Sequence, residues 1–396
     1  MAAQIASEAG DQIARVALAL LVLSDTGSAL LAAATFAVSF VPTFLGGALL
    51  GSLADRFSRK SLMLLADVAR AIAIAVLAIA AGMGAPLWVL FALLFVAELF
   101  SPLFESARAA SIPDVLGTPS LVTAGTGLTR SLHLANQAIG LVLGGLVVQL
   151  TSPQAALFVD AVSFIVSYAL LAAFVKNRPA MLEATASVGQ LFADLAEGWR
   201  MLMGDRSRRA LVLLGWGMAA SLVAPEAVAL AYARDNGELD AWGAVLMASV
   251  ITGAALGSVL VGRRTPRDQL DLVLPLAIAV CLPLLLTGIE PPIVVLVLLW
   301  FASGVAQGFL VPVMSFTTLL TKNEHRGRVI GIASAGFAAV TAVGYLVTGF
   351  VADRTSPAFA VTVMAVVGLA VVSVGFLRWP SDRLRSDVRA LELASH

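Results

Sequence analysis

The sequence predicts an all-α membrane protein: twelve transmembrane helices in two six-helix halves related by internal pseudo-symmetry. Three observations carry this expectation. First, 59% of the 396 residues are hydrophobic and only 13% are charged, whereas soluble domains carry roughly 25% charged residues. Mean hydropathy is +0.94, and too little charge remains to wet the surface of a large soluble helical protein. Second, apolar runs of about 20 residues, each long enough to span a hydrocarbon core of about 30 Å, recur along the whole chain. Third, glycine patterns of the first half return in the second at a nearly constant offset.

Lipid offers no partner to unpaired backbone groups, so the spans are read as helices. Apolar runs place them at about 3–23, 28–53, 60–82, 86–111, 120–149 and 154–175, then at about 209–232, 241–262, 270–288, 292–319, 327–350 and 357–377. The first begins almost at Met1 and already holds Glu8 and Asp11. Residues 1–12 contain no Lys or Arg and no long apolar core, so a tight or shortened start is expected rather than a secretory signal. Asp25-Thr26-Gly27, Gly82-Met83-Gly84-Ala85-Pro86 and Glu290-Pro291-Pro292 are strong breakers between spans. Pro102 is expected to bend or loosen the fourth span.

One long connection, 176–208, divides six spans from six. Within it Val188, Leu191, Phe192, Leu195, Trp199 and Leu202 recur at helical spacing, with Gln190, Asp194, Glu197 and Arg200 on the other face. That pattern predicts an amphipathic helix lying on the membrane surface. The expected division is therefore an N-terminal half (1–175), a cytoplasmic linker (176–208), a C-terminal half (209–377) and a cytoplasmic tail (378–396). Lys and Arg orient the chain. With both termini cytoplasmic, the loops on that side gather Arg56, Arg59, Lys60, Arg108, Arg263, Lys322, Arg326 and most other bases, while the opposite loops hold only Arg234 and Arg354.

Composition also excludes functions. Net charge is zero, so no basic surface recruits nucleic acid. The single cysteine, Cys281, lies in an apolar run and has no internal disulfide partner. His133, His325 and His396 are too scattered for a metal site. There is no GxxxxGK segment and no nucleophile elbow, so neither an ATPase nor a hydrolase has support, and no cofactor is expected.

The repeat pairs Gly47-Ala48-Leu49-Leu50-Gly51-Ser52 with Gly253-Ala254-Ala255-Leu256-Gly257-Ser258. At nearly the same offset, Gly127, Gly140, Gly145 and Thr151-Ser152-Pro153 match Gly331, Gly344, Gly349 and Thr355-Ser356-Pro357. Span two thus pairs with span eight, and span five with span eleven. Two six-helix halves in parallel orientation are the frame of a secondary transporter, with its site expected between the halves near the midplane.

Charges inside spans are expensive and mark functional candidates. Span one carries Glu8, Asp11, Gln12 and Arg15 on one face. Asp11 and Arg15 are placed to pair with each other at i, i+4, or Asp11 handles protons or substrate. Span four carries Glu98 and Glu105 on one face. Glu98 is near mid-span with no base one turn away, and desolvation there favours a neutral carboxyl; it is the first proton-site candidate. Glu105 is placed to pair with Arg108. Span five has Thr126, Arg130, His133 and Gln137 in one stripe, with Arg130 a possible counter-ion for Glu98 or Glu105. Asp67 and Arg70 are read as a local structural pair, and Asp160 as interfacial. Glu226, after Pro225 in span seven, is a second proton or cation candidate. Phe100 and Trp216 are the named aromatic contacts for a substrate.

With these motifs in hand, the chain resembles the major facilitator superfamily along its whole length. Gly51-x-Leu53-Ala54-Asp55-Arg56-x-x-Arg59-Lys60 is similar to that superfamily's loop motif between its second and third helices, with Ser58 where glycine is usual. Gly127, Gly140, Gly144 and Gly145 partly match the helix-five glycine pattern of its antiporters. Leu141 replaces a proline of that pattern and Asn136 a glycine. Glu197-Gly198-Trp199-Arg200 and Arg326-Gly327-Arg328-Val329 resemble the bacterial drug, macrolide and siderophore exporters.

The resemblance implies proton-coupled efflux of an amphiphilic small molecule by a monomer in the bacterial cytoplasmic membrane. An importer or uniporter on the same fold is the alternative, because fold does not fix function; a non-transporting receptor or lipid-handling scaffold is the third reading. Asp55 is expected to latch the cytoplasmic side against the N-terminus of helix eleven at Gly327-Arg328, with Arg108 as a second partner. Arg56 and Arg59 flank the latch and mainly set orientation. The second copy carries Val261 where the first carries Asp55, so the latch is one-sided.

Overall fold

A computed structural model describes residues 2–49, 58–116, 119–175, 188–322 and 325–394, with side chains described over 5–42, 58–108, 133–175, 196–322 and 325–390. Helix α1 is Ala2–Thr26, α2 Ala29–Leu49 and α3 Arg59–Gly82. The fourth span is two helices, α4 (Leu87–Leu99) and α5 (Ser101–Leu116). Then come α6 (Pro119–Leu150), α7 (Pro153–Phe174), α8 (Val188–Gly204) and α9 (Arg206–Asp235). They are followed by α10 (Asp240–Gly262) and α11 (Pro266–Leu285). The tenth span is α12 (Ile293–Ala306), a 3₁₀ turn at Gln307–Phe309 and α13 (Leu310–Leu319). The last are α14 (Arg326–Arg354), α15 (Pro357–Leu377) and α16 (Ser381–Ala394).

Among the described residues, ten of these helical stretches are long and apolar enough to cross a membrane. The charged α1 and the apolar stretch Ala29–Pro42 of α2 bring the spans to the twelve expected. The chain is an all-α, multi-pass membrane protein.

Two spans break for the same reason. Pro102 has no N–H to give the carbonyl of Glu98, and Pro312 none to give that of Gly308. The backbone turns instead: the N–H of Phe100 donates to the Ala97 carbonyl at 3.3 Å, and Gln307–Phe309 tightens to 3₁₀. The repeat seen in the sequence is also a repeat of caps. Ser152 accepts from the N–H of Ala155, and Ser356 from that of Phe359, each at 3.1 Å. Thr151 and Thr355 each donate back one turn, to Val147 at 2.6 Å and Val351 at 2.7 Å.

The helices group into two compact units, Met1–Ala186 with Ala233–Ala248, and Ser187–Tyr232 with Ser249–His396. In the first, α1 lies against α6 and α7, and α3 against α7 and α4. Gly140 and Gly144 let α6 approach the backbone of α1: a Cβ on Gly140 would stand 3.0 Å from the Ala9 carbonyl, and one on Gly144 3.0 Å from Cα of Ile13. Asn136 completes this seam by donating to the Ile5 carbonyl at 2.9 Å. In the second unit α11 packs on α12 and α15. There Gly253 and Gly257 of α10 meet Gly304 and Gly308 of the tenth span so closely that a Cβ on Gly253 or Gly257 would overlap the carbonyl of Phe301 or Val305. Small residues permit such helix contacts in lipid.

Two segments carry more structure than the sequence predicts. The linker helix α8 does not lay its apolar face on lipid alone. From Gly198 onward it packs on α14, with Leu202 buried against Val212, Val329, Ile332 and Ala333, Trp199 stacked on Trp216 at 5.9 Å, and Glu197 paired with Arg328. The tail, expected only as a cytoplasmic segment, is helical. In α16 Leu384 and Val388 are buried one turn apart, and Asp387 accepts from the Ser207 hydroxyl at 2.6 Å.

Gly257→Ala is expected to destabilise the detergent-solubilised protein by about 1–3 kcal/mol, because its Cβ must displace backbone. Gly262→Ala, in the same helix but with nothing within 4 Å of its Cβ, should leave the melting temperature in place. Equal melting of the two variants would contradict the seam.

Candidate functional site

The polar residues of the first unit converge on one cavity of about 210 Å³. Of the sequence candidates, Asp11, Arg15, Glu98, Glu105, His133 and Gln137 line it, together with Glu8, Gln12, Ser39, Arg70 and Ser101. α1 delivers its acids and Arg15 from one face because they recur at helical spacing. The break in the fourth span puts Glu98 at the end of α4 and Ser101 at the start of α5.

Glu98 is the best-supported carboxylate. Its Oε1 accepts from Arg15 Nε at 3.2 Å and Nη2 at 2.9 Å, and from the Ser39 hydroxyl at 2.8 Å. Its Oε2 accepts from the Ser101 hydroxyl at 3.1 Å. Arg15 is thus paired across to α4, not with Asp11 as the i, i+4 spacing predicts. Asp11 takes Arg70 instead, at 2.6 Å. The expected local pair of Asp67 with Arg70 is likewise replaced: Asp67 accepts from Ser167 of α7 at 2.7 Å. In each case a partner on a neighbouring helix, an opposite charge for Arg15 and Asp11 and a hydroxyl for Asp67, replaces the residue one turn away.

Glu8 is approached by Arg108 Nη1 at 3.6 Å and by His133 Nδ1 at 3.3 Å. Glu105 pairs with Arg108 at 2.9 Å, as its spacing predicts. Asp160, expected at an interface, is fully buried against α1. With Asp11, Arg15, Arg70, Glu98 and Phe164 it lines a second, much smaller cavity of about 10 Å³. The Arg70 guanidinium also lies 4.3 Å over the Phe164 ring. Asp160 and Arg70 are the site residues that sequence reasoning passed over; the signal available was only that each is a charge within an apolar run.

The remaining candidates lie elsewhere. Phe100 packs against the core formed by Leu62, Met63, Leu103, Phe104 and Leu171 and is not among the cavity residues. Trp216 donates from Nε1 to the Ala333 carbonyl at 2.8 Å and belongs to the second unit, as does the half-buried Glu226. The side chain of Arg130 falls outside the described residues, and so do Asp55 and Arg56. Among described latch residues, Arg59 opens α3, Arg108 serves Glu8 and Glu105, and Gly327-Arg328 open α14 with Arg328 on Glu197. Among the described residues no cluster of His, Cys, Asp or Glu is arranged to hold a metal.

A bundle of apolar spans enclosing a chamber of paired charges has the make-up of a solute transporter. Comparison with known proteins gives the family. The sequence model of the Major Facilitator Superfamily matches residues 1–295 and 227–394, and the chain belongs to this superfamily. It is 26% identical over 368 residues to the multidrug efflux pump Tap of Mycobacterium tuberculosis, covering 89% of this chain and 85% of that one. It is 24% identical over 216 residues to macrolide efflux protein A of Streptococcus pyogenes, covering 54% and 53%. The crystal structure of the nucleoside transporter NupG superposes with a TM-score of 0.73 at 14% identity, over 95% of this chain and 98% of that one, which is a likeness of fold.

Truncating one member of a buried ion pair strands the other. Arg15→Ala is expected to destabilise by about 3–5 kcal/mol, and Arg15→Ala combined with Glu98→Gln by clearly less than the two singles summed. Additive losses in thermal melts would show that the two side chains do not act as a pair.

Proposed function

We propose that this protein is a secondary active transporter that exports an amphiphilic small molecule, a drug, antibiotic or siderophore, in exchange for protons. Alternating access would be carried by two halves, 1–175 and 209–377, in the bacterial cytoplasmic membrane with both termini cytoplasmic. The protein would act as a monomer. The observation that carries the reading is the charged cavity within the first unit. An apolar solute needs no such array, and ionisable groups within spans are expensive and mark a path for substrate or protons where they line a cavity. The efflux relatives support the direction of transport.

In this scheme Glu98 is the proton acceptor. Protonation would release Arg15, and the loss of that bond between α1 and α4 would be the differential energy that favours one state over another. Asp11, Glu8, Glu105, His133 and Gln137 offer a cationic or neutral solute its polar contacts. Glu226 is the candidate carboxylate of the second unit. Asp55 is the proposed cytoplasmic latch on the start of α14 at Gly327-Arg328, with Arg108 as a second partner; in that role both arginines would exchange their present acids, Glu8, Glu105 and Glu197, for Asp55.

Everted membrane vesicles test the reading. An inside-acid pH gradient is expected to drive accumulation of a macrolide or a cationic dye. Accumulation that survives collapse of the gradient would remove proton coupling, and movement only in the opposite direction would make the protein an importer. Glu98→Gln is expected to reduce gradient-driven accumulation by about tenfold or more; unimpaired transport by that variant would remove Glu98 from the scheme.

A further inference from the structure

Four carboxylates and two guanidiniums meet inside the first unit. α1 brings Asp11 and Arg15, α3 brings Asp67 and Arg70, α4 brings Glu98 and α7 brings Asp160. Arg15 is committed to Glu98 and Arg70 to Asp11. Asp67 and Asp160 receive only hydroxyls: Ser167 donates to Asp67 Oδ2 at 2.7 Å, and Ser163 to Asp160 Oδ1 at 3.1 Å. Both aspartates are 0% exposed. The second oxygen of each, Asp67 Oδ1 and Asp160 Oδ2, is buried with no hydrogen-bond partner.

Fully ionised, this group would hold two more negative charges than positive ones. A lone ion out of water costs several kcal/mol even after its surroundings relax. Neutrality requires two protons, and the two acids without an arginine are where they belong. We infer that this cluster stores two protons, one on Asp67 and one on Asp160.

Asp160 also has a route by which to use its proton. It shares the 10 Å³ cavity with Arg70, a space on the scale of one water. Arg70 Nε is itself buried without a hydrogen-bond partner, so an unused donor and an unused acceptor belong to residues that border the same space. When Asp160 passes its proton by way of a water there to the 210 Å³ chamber, which Asp11, Arg15, Arg70 and Glu98 also border, its carboxylate becomes a second claimant for Arg70. The hold of Arg70 on Asp11 then weakens. Asp11 borders both the small cavity and the 210 Å³ one, so its charge becomes available to the larger chamber. Gly10 is what admits Asp160 to this place: a Cβ there would overlap Asp160 Oδ1 and the Ser163 side chain. The storage of protons stands on the geometry alone; the relay to Asp11 rests on the proton-coupled reading above.

Infrared spectroscopy of the full chain in lipid nanodiscs tests the storage. At neutral pH the wild-type protein is expected to show the carbonyl stretch of protonated carboxylic acids, shifted in heavy water. Asp67→Asn and Asp160→Asn should each remove part of that band. A wild-type protein without the band, or a double variant that keeps it whole, would overturn the assignment. Thermal melts give an independent reading, because Asn resembles the neutral acid. Asp160→Asn should melt with the wild type while Asp11→Asn melts lower. An equal loss in both would make Asp160 an ionised partner of Arg70 and overturn the storage. For the relay, Asp160→Asn is expected to lose gradient-driven accumulation in everted vesicles. A full response by that variant, where the wild type responds, overturns the relay. A wild type indifferent to the gradient removes proton coupling and the relay together, and the infrared band still decides the storage.

Discussion

An ionisable group in a hydrocarbon-spanning helix must find an opposite charge or give up its own, and much of the first unit follows from that constraint. Arg15 on α1 reaches Glu98 on α4, and Arg70 on α3 reaches Asp11 on α1. These pairs, with the hydroxyls of Ser39, Ser101 and Ser167, tie α1, α2, α3, α4, α5 and α7 to one another. The apolar surfaces cannot do this by themselves, because lipid tails are as apolar as leucine and give helices little reason to prefer each other. Polar partners therefore carry the specificity that a hydrophobic core supplies in water.

The spans themselves were legible in the sequence. Length, apolar runs and breakers such as Glu290-Pro291-Pro292 are local properties, and the bilayer enforces helix wherever they occur. Partners within one helix were legible, as for Glu105 and Arg108, but partners on other helices were not. Periodicity tells which residues share a face of one helix but not which helix that face meets. Hence Arg15 was expected on Asp11 one turn away, when the better acceptor lies 83 residues further along the chain. Asp160 shows the same limit from the other side. Nothing in Val159-Asp160-Ala161 distinguishes a carboxylate at the bilayer edge from one pressed against Gly10 of α1. In α8 the part of the apolar stripe whose side chains are described, Trp199 and Leu202, packs on protein, and in α16 the pair Leu384 and Val388 was too short a stripe to register.

The two units share scaffolding more than chemistry. The same Thr-Ser-Pro cap opens α7 and α15, and the same proline-driven break divides the fourth and tenth spans. The contents differ. Glu98 precedes the first break, where Gln307 begins the second. The second unit instead buries Trp300 with its Nε1 on Thr287 at 3.0 Å, and Ser303 on the Val280 carbonyl at 2.8 Å. Those are neutral contacts that hold a fold together and have no proton to trade. The first unit gathers its charges round a cavity, whereas the second carries Glu226 within α9.

The glycine seam between α10 and the tenth span fixes how closely two helices approach. Gly253 and Gly257 press on the backbone opposite, while Gly304 and Gly308 press back from the other side. A Cβ at any of the four meets main chain first, which yields less readily than the end of a flexible side chain. A substitution here is answered by one helix moving bodily away from the other, so these four glycines set the spacing between α10 and the tenth span.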